Sequence, residues 1–192
     1  MKKRLFGFLP LIFILLLCLS AQAAEYTPNG VFRIEYDETQ LTLDDTTYKG
    51  DSTATYQWLF LLHDENNVLD VSTETIKEYE GVTLYAADDT VLRRYQQDVL
   101  DAFSDKNAVF VTQRIVSDLR IPFFIFRLQD EEGTYYLAET VINGQVFDFQ
   151  SYPATMNQAS EINFELLCRL LDTFEWIEGE AEKDSQIEEL FL

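Results

Sequence analysis

Asn143-Gly144, set between two stretches of alternating polar and apolar residues, constrains the fold of this chain more than any other feature. A two-residue hairpin loop of type I′ needs positive φ at both central positions, which asparagine and glycine tolerate best. The short loop also fixes the register. Val141 must face Val146, Thr140 must face Phe147, and Glu139 must face Asp148. Ala138, Thr140, Phe147 and Phe149 then share one face, which is assigned to the core. Glu139 and Asp148 fall on the other face, where like charges repel unless water or a cation separates them. Solvation is the expected answer.

The same two-residue period recurs on both sides of this hairpin. Phe32, Ile34 and Tyr36 alternate with Arg33, Glu35 and Asp37, after a polar lead-in over residues 24–30 that ends in the turn Asn29-Gly30. Leu41 and Leu43 either continue this strand or pack as a loop, and residues 44–53 are polar. Residues 54–63 read as a central strand. The turn Asp64-Glu65-Asn66-Asn67 leads into 68–76, where Leu69, Val71 and Thr73 point inward. Further strands are expected over 108–116, 121–128, 135–142 and 145–150.

Two segments change to helical spacing. Val91, Leu92, Tyr95, Val99 and Phe103 make one stripe of a helix over about 89–104, with an aspartate placed to cap it. Ser160 starts a second helix, whose apolar face is Ile162, Asn163, Leu166, Leu167, Leu170, Leu171 and Phe174 and which ends near Trp176. Neighbouring strands joined by short turns make an antiparallel sheet. The expected class is α+β: six to seven antiparallel strands covered by two main helices, in the order β-β-β-α-β-β-β-(β)-α.

The first 23 residues set the compartment. Lys2, Lys3 and Arg4 precede an apolar stretch from Leu5 to Leu19, and Ala21 and Ala23 form an A-x-A exit before Ala24. Those are the three parts of a secretory signal peptide, and the stretch is shorter than the 20 or so residues of a spanning helix. Three leucines before Cys18 make a poor lipidation pattern. The expected organisation is a signal peptide over 1–23, one domain over 24–176 and an acidic tail over 177–192. Export places the protein in the cell envelope or outside the cell.

The chain carries 14 Lys and Arg against 34 Asp and Glu, a formal net charge of −20. Cleavage of the leader removes three positive groups and no acid. A surface this acidic repels phosphates and anionic headgroups, which disfavours nucleic acid and membrane partners. After the leader only Cys168 remains, so no internal disulfide is expected. Stability must come from the core.

Catalytic signals are sparse. His63 is the single histidine, at a strand end beside Asp64 and Glu65, and is read as a solvated rim residue. Cys168 sits at the edge of a helix's apolar face and is read as a structural thiol. One histidine and one cysteine do not make the usual zinc site. Asp64, Asn66, Asn67 and Asp70 cluster, but their spacing is not that of an EF-hand loop. No cofactor is expected. Aromatic residues are the better lead: Tyr56, Trp58 and Phe60 are expected on one face of a strand and Leu59 and Leu61 on the other. Tyr56, Trp58, Tyr135 and Tyr136 are the candidate ligand-binding residues, because an aromatic face that no helix covers is a binding surface.

Three stretches carry a resemblance to a known family. They are the opening Phe32-Arg33-Ile34-Glu35-Tyr36, the helix of 89–104 set between two groups of strands, and the closing Leu170-Leu171-Asp172-Thr173-Phe174. Together they resemble the PsbP-like family of small exported α+β proteins over roughly residues 31–176. Thr173 stands where the family has serine, and Asp37-Glu38-Thr39-Gln40 follow where it often has Pro then Trp. The resemblance implies a non-enzymatic binding or assembly module, acting on a protein or small-ligand partner, with no catalytic residues to carry over. Two other classes are weighed against it: a secreted hydrolase using paired carboxylates, and a calcium-dependent surface module.

Overall fold

The computed structural model describes residues 23–131, 133–155 and 158–177. The leader before Ala23 and the acidic tail after Ile177 lie outside the described residues. Ten strands and two α-helices follow in order: β1 (Ala23–Tyr26), β2 (Phe32–Asp37), β3 (Thr42–Asp44), β4 (Tyr56–His63), β5 (Asn67–Thr75), α1 (Asp89–Ala102), β6 (Val109–Val116), β7 (Ile121–Gln129), β8 (Thr134–Ile142), β9 (Gln145–Pro153), α2 (Glu161–Asp172) and β10 (Glu175–Trp176). Short 3-10 turns at Lys77–Tyr79 and Leu84–Ala86 lead into α1.

Seven strands form one antiparallel sheet in the order β3-β4-β5-β9-β8-β7-β6. The α+β class read from the alternating and helical periods therefore holds. The β8–β9 hairpin has the register that its Asn-Gly loop dictates: Val141 opposes Val146, Thr140 opposes Phe147, and Glu139 opposes Asp148. Asn143 and Gly144 both have positive φ, 52° and 79°.

Four readings need correction. The opening strand does not join the main sheet. The lead-in residues Ala23–Tyr26 pair with β2, and β10 pairs with β2 on its other edge, giving a separate three-stranded sheet. Second, α2 stops at Asp172, not near Trp176. Thr173 caps it, and Glu175-Trp176 continues as β10 so that Trp176 can pack on Phe147. Third, Ile162 and Val91 are exposed although both lie at helical spacing. Fourth, a β-bulge between Trp58 and Phe60 inserts one residue into β4. A single extra residue reverses the alternation. Trp58 pairs with Ser72 and Leu61 with Asp70, whereas Phe60 pairs with Val71 and joins Leu59 in the core.

The sheet separates two apolar layers. On one face, α2 and the small sheet cover a core built around Phe32, Phe60, Phe123, Phe147, Phe149 and Phe174. Phe174 stacks on Phe32 with ring centroids 4.9 Å apart and meets Phe123 edge-on at 5.2 Å. Each such ring buries on the order of 150–250 Å² and supplies several kcal/mol. On the opposite face, α1 and the 3-10 turns cover Phe124, Phe126, Leu128, Leu137, Val141 and Val146. These are called the α2 face and the α1 face below.

Candidate functional site

Position along each strand decides which polar groups reach the α1 face. The cross-strand row through Glu139 runs Trp58, Ser72, Asp148, Glu139, Phe124 and Gln113, from β4 to β6. The neighbouring row holds Leu61, Asp70, Gln150 and Leu137. Glu74 lies one pleat the other way, opposite Tyr56 and Val146. Alternation thus places Asp70, Glu74, Asp148 and Glu139 on one surface, with Tyr56 and Trp58.

Glu139 and Asp148 are not solvated as opposed carboxylates. Glu139 is only 5% exposed. The Tyr95 hydroxyl of α1 donates to its Oε2 at 3.2 Å. Asp148 keeps some surface as a residue, but its Oδ1 is sealed from solvent and no amide or hydroxyl donates to it. The carboxyl group of Asp148 lies instead against that of Glu139. Burial and the adjacent Asp148 charge push Glu139 well above the usual carboxylate range. Burial also raises Asp148, with the hydrogen bond from Glu139 working against the rise. Two carboxylates cannot both ionise in a dry layer without a cation. The arrangement favours one proton retained by the pair, on the Glu139 side. The solvation expected for the paired charges does not hold for Glu139, because Tyr95 and the apolar layer beneath α1 close over it.

The remainder of the α1 face, over β4 and β5, carries a second group. The Trp58 indole N–H donates to Asp70 Oδ1 at 2.9 Å. Tyr48, 45% exposed, meets the Trp58 ring edge-on at 5.5 Å. Tyr152 on β9 senses both Asp70 and Tyr48 electrostatically, and burial raises its phenol. Burial raises Asp70 to about 6, partly offset by the indole hydrogen bond. Trp58 is 6% exposed yet belongs to neither apolar layer.

The four aromatic residues singled out from the sequence are therefore divided. Tyr56 and Trp58 share the α1 face. Tyr135 lies at the far end of that face, where Lys106 Nζ donates to its hydroxyl at 3.1 Å. Tyr136 lies on the α2 face against Phe164, with centroids 5.3 Å apart. Tyr48 and Tyr152 carry no sequence signal of their own, and Asp70, read with the Asp64 loop, is brought to Trp58 by the β4–β5 pairing. The parity of β5 and β9 was legible, but the bulge that turns Trp58 away from Phe60 was not.

The remaining chemistry is dispersed. His63 ends β4 opposite Val68 and Thr42 on the α1 face. Cys168 is buried in α2, across the sheet, and burial raises its thiol although Arg114 lies beside it. The Asp64 loop is hairpin chemistry: Asp64 Oδ1 accepts from the Asn66 and Asn67 amides at 2.6 and 2.7 Å. Asp70 leaves that cluster for Trp58. Among the described residues, no group of three or more His, Cys, Asp or Glu is arranged to hold a metal ion.

The site belongs to an antiparallel α+β sandwich with an opposed carboxyl pair between sheet and helix. No family model matches the sequence, and no curated protein matches it. Among solved structures, the chain is similar to cyanobacterial PsbP (CyanoP) from Synechocystis sp. PCC 6803, at 15% identity and a TM-score of 0.46, covering 81% of this chain and 93% of that one. It is also similar to a crystal structure from Bacteroides thetaiotaomicron VPI-5482, at 15% identity and a TM-score of 0.44, covering 83% of this chain and 50% of that one. The chain thus spans half the length of the second. These are likenesses of fold, and the first is to a PsbP protein.

Proposed function

We propose that this protein is an exported, non-enzymatic binding or assembly module that engages a protein or small-ligand partner in the cell envelope or outside the cell. The observation that carries this reading is the β4–β5 part of the α1 face. Tyr48, Tyr56, Trp58 and Tyr152 sit there beside Asp70 and Glu74, outside both apolar layers. Aromatic rings with a polar rim are the usual anchors of recognition. The net charge of −20 favours a cationic partner. Export rests on the leader pattern alone.

One observation favours the hydrolase reading, the Glu139–Asp148 pair. Against it, Tyr95 closes over Glu139, and the pair's retained proton is explained by burial. His63 and Cys168 lie on opposite faces of the sheet and assist neither carboxyl.

The test joins fractionation to capture. Full-length protein should be recovered from the extracytoplasmic fraction, and a chain lacking residues 1–23 should stay in the cytoplasm. Immobilised protein should retain an envelope partner, with retention reduced tenfold or more in Tyr48→Ser/Tyr56→Ser and unchanged in Tyr136→Ser. Equal retention by all three, or turnover of glycan or peptide libraries abolished by Asp148→Asn, overturns the reading.

A further inference from the structure

The Glu139–Asp148 pair lies beneath a helix that holds it by one hydroxyl. Tyr95, 3% exposed, is the residue of α1 that reaches it, and its ring is gripped edge-on by Tyr79 at 5.3 Å and Phe124 at 5.5 Å. From β5, Glu74 and Asp70 face Asp148 and add negative potential. Around Tyr79 the charged groups are Asp98 and Arg94 of α1 and Glu78 of its own turn. Arg94 is 83% exposed and turns to Asp98, so no cation among the described residues neutralises the pair. Five residues of α1 and its exit pack into the layer, of which Tyr95 and Val99 are fully buried and Leu92, Leu100 and Phe103 are buried in part. The helix is lightly anchored compared with α2, six of whose residues are buried.

We propose that α1 is a proton-controlled lid, closed on the sheet while the Glu139–Asp148 pair holds a proton and lifted when both carboxyls ionise. A second charge on the Glu139 side is shielded from water while Tyr95 is in place, and the charged groups facing the pair from β5, Glu74 and Asp70, are both acidic. Moving α1 outward admits water to the pair and withdraws two fully buried side chains, against the six that a displacement of α2 would withdraw. It also uncovers Phe124, Phe126, Val141 and Val146, an apolar patch that the closed form hides. Acid therefore favours the closed form, and rising pH favours the open one. This inference stands apart from the binding reading above.

Hydrogen exchange on the full chain, corrected for intrinsic rates, tests it. Between pH 5.5 and 8.5 the protection of α1 amides should fall tenfold or more relative to that of β8 amides. In Glu139→Gln/Asp148→Asn the fall should vanish. Carbon-detected titration of the wild-type carboxyls should place the pair's second ionisation at the same pH as the loss of α1 protection, which keeps the test independent of whether the variant folds. Flat α1 protection in the wild type, an equal fall in α1 and β8, or a carboxyl titration that does not coincide with opening each overturns the proposal.

Discussion

Single positions carry the sharpest requirements. Gly144 sits at φ +79°, and a Cβ there meets Tyr79 O at 3.2 Å and Gly81 N at 3.3 Å, both backbone atoms. Gly144→Ala should cost about 1–3 kcal/mol in urea unfolding, from positive φ and the close approach together. Thr140 is fully buried on the α2 face and its hydroxyl has no partner. Thr140→Val keeps shape and β-branching while removing an unpaired polar group, so it should raise stability by about 1 kcal/mol by the same measurement. These two positions differ in legibility. The Asn-Gly loop was plain in the sequence because its chemistry is local. The orphan hydroxyl was not, since only packing against Phe147 and its neighbours decides whether a threonine finds a donor or acceptor.

Elements depend on residues far from them in the chain. The α2 N-terminus is held by Asn163, 1% exposed. Its side-chain oxygen accepts from the Ser160 amide at 2.9 Å, and its Nδ2 donates to Asn67 Oδ1 at 3.0 Å in the β4–β5 turn. Asn163→Ala removes these bonds and leaves Asn67 Oδ1 without its donor, while Asn67 Nδ2 keeps Asp64, and should lower stability by about 1–3 kcal/mol on thermal or urea unfolding. Asn163 was placed on the apolar face by spacing alone, an odd position for an amide. Its reason is a contact spanning 96 residues. Helix spans followed the same rule. The start of α1 was legible because Asp88 accepts from the Thr90 and Val91 amides at 2.8 and 3.0 Å, a local bond. The end of α2 was not, because β10 exists only where β2 is available to pair with it.

At the scale of the whole molecule, buried acids set the response to pH. Asp70, Asp148 and Glu139 all have folded-state affinities for protons above their ordinary values. A group raised in this way adds stability that is fully present below its unfolded value and is lost as pH rises through the folded one. For Asp70 that window runs from the ordinary 3.8 to about 6; for Glu139 it extends higher. Unfolding free energy should therefore decline from pH 5 towards pH 8. Glu139→Gln, neutral at every pH, should gain on the order of 1–3 kcal/mol over the wild type at pH 8 and nothing at pH 5; equal effects at both values would contradict the assignment. The sequence by itself determined what period and turn chemistry determine: an antiparallel sheet, two covering helices, and Glu139 set opposite Asp148. Tertiary structure alone decided that Glu139 is buried, that Trp58 turns from Phe60 to Asp70, and that the opening strand leaves the main sheet. Alternation fixes which residues share a face; which face is sealed depends on contacts between segments that the chain holds far apart.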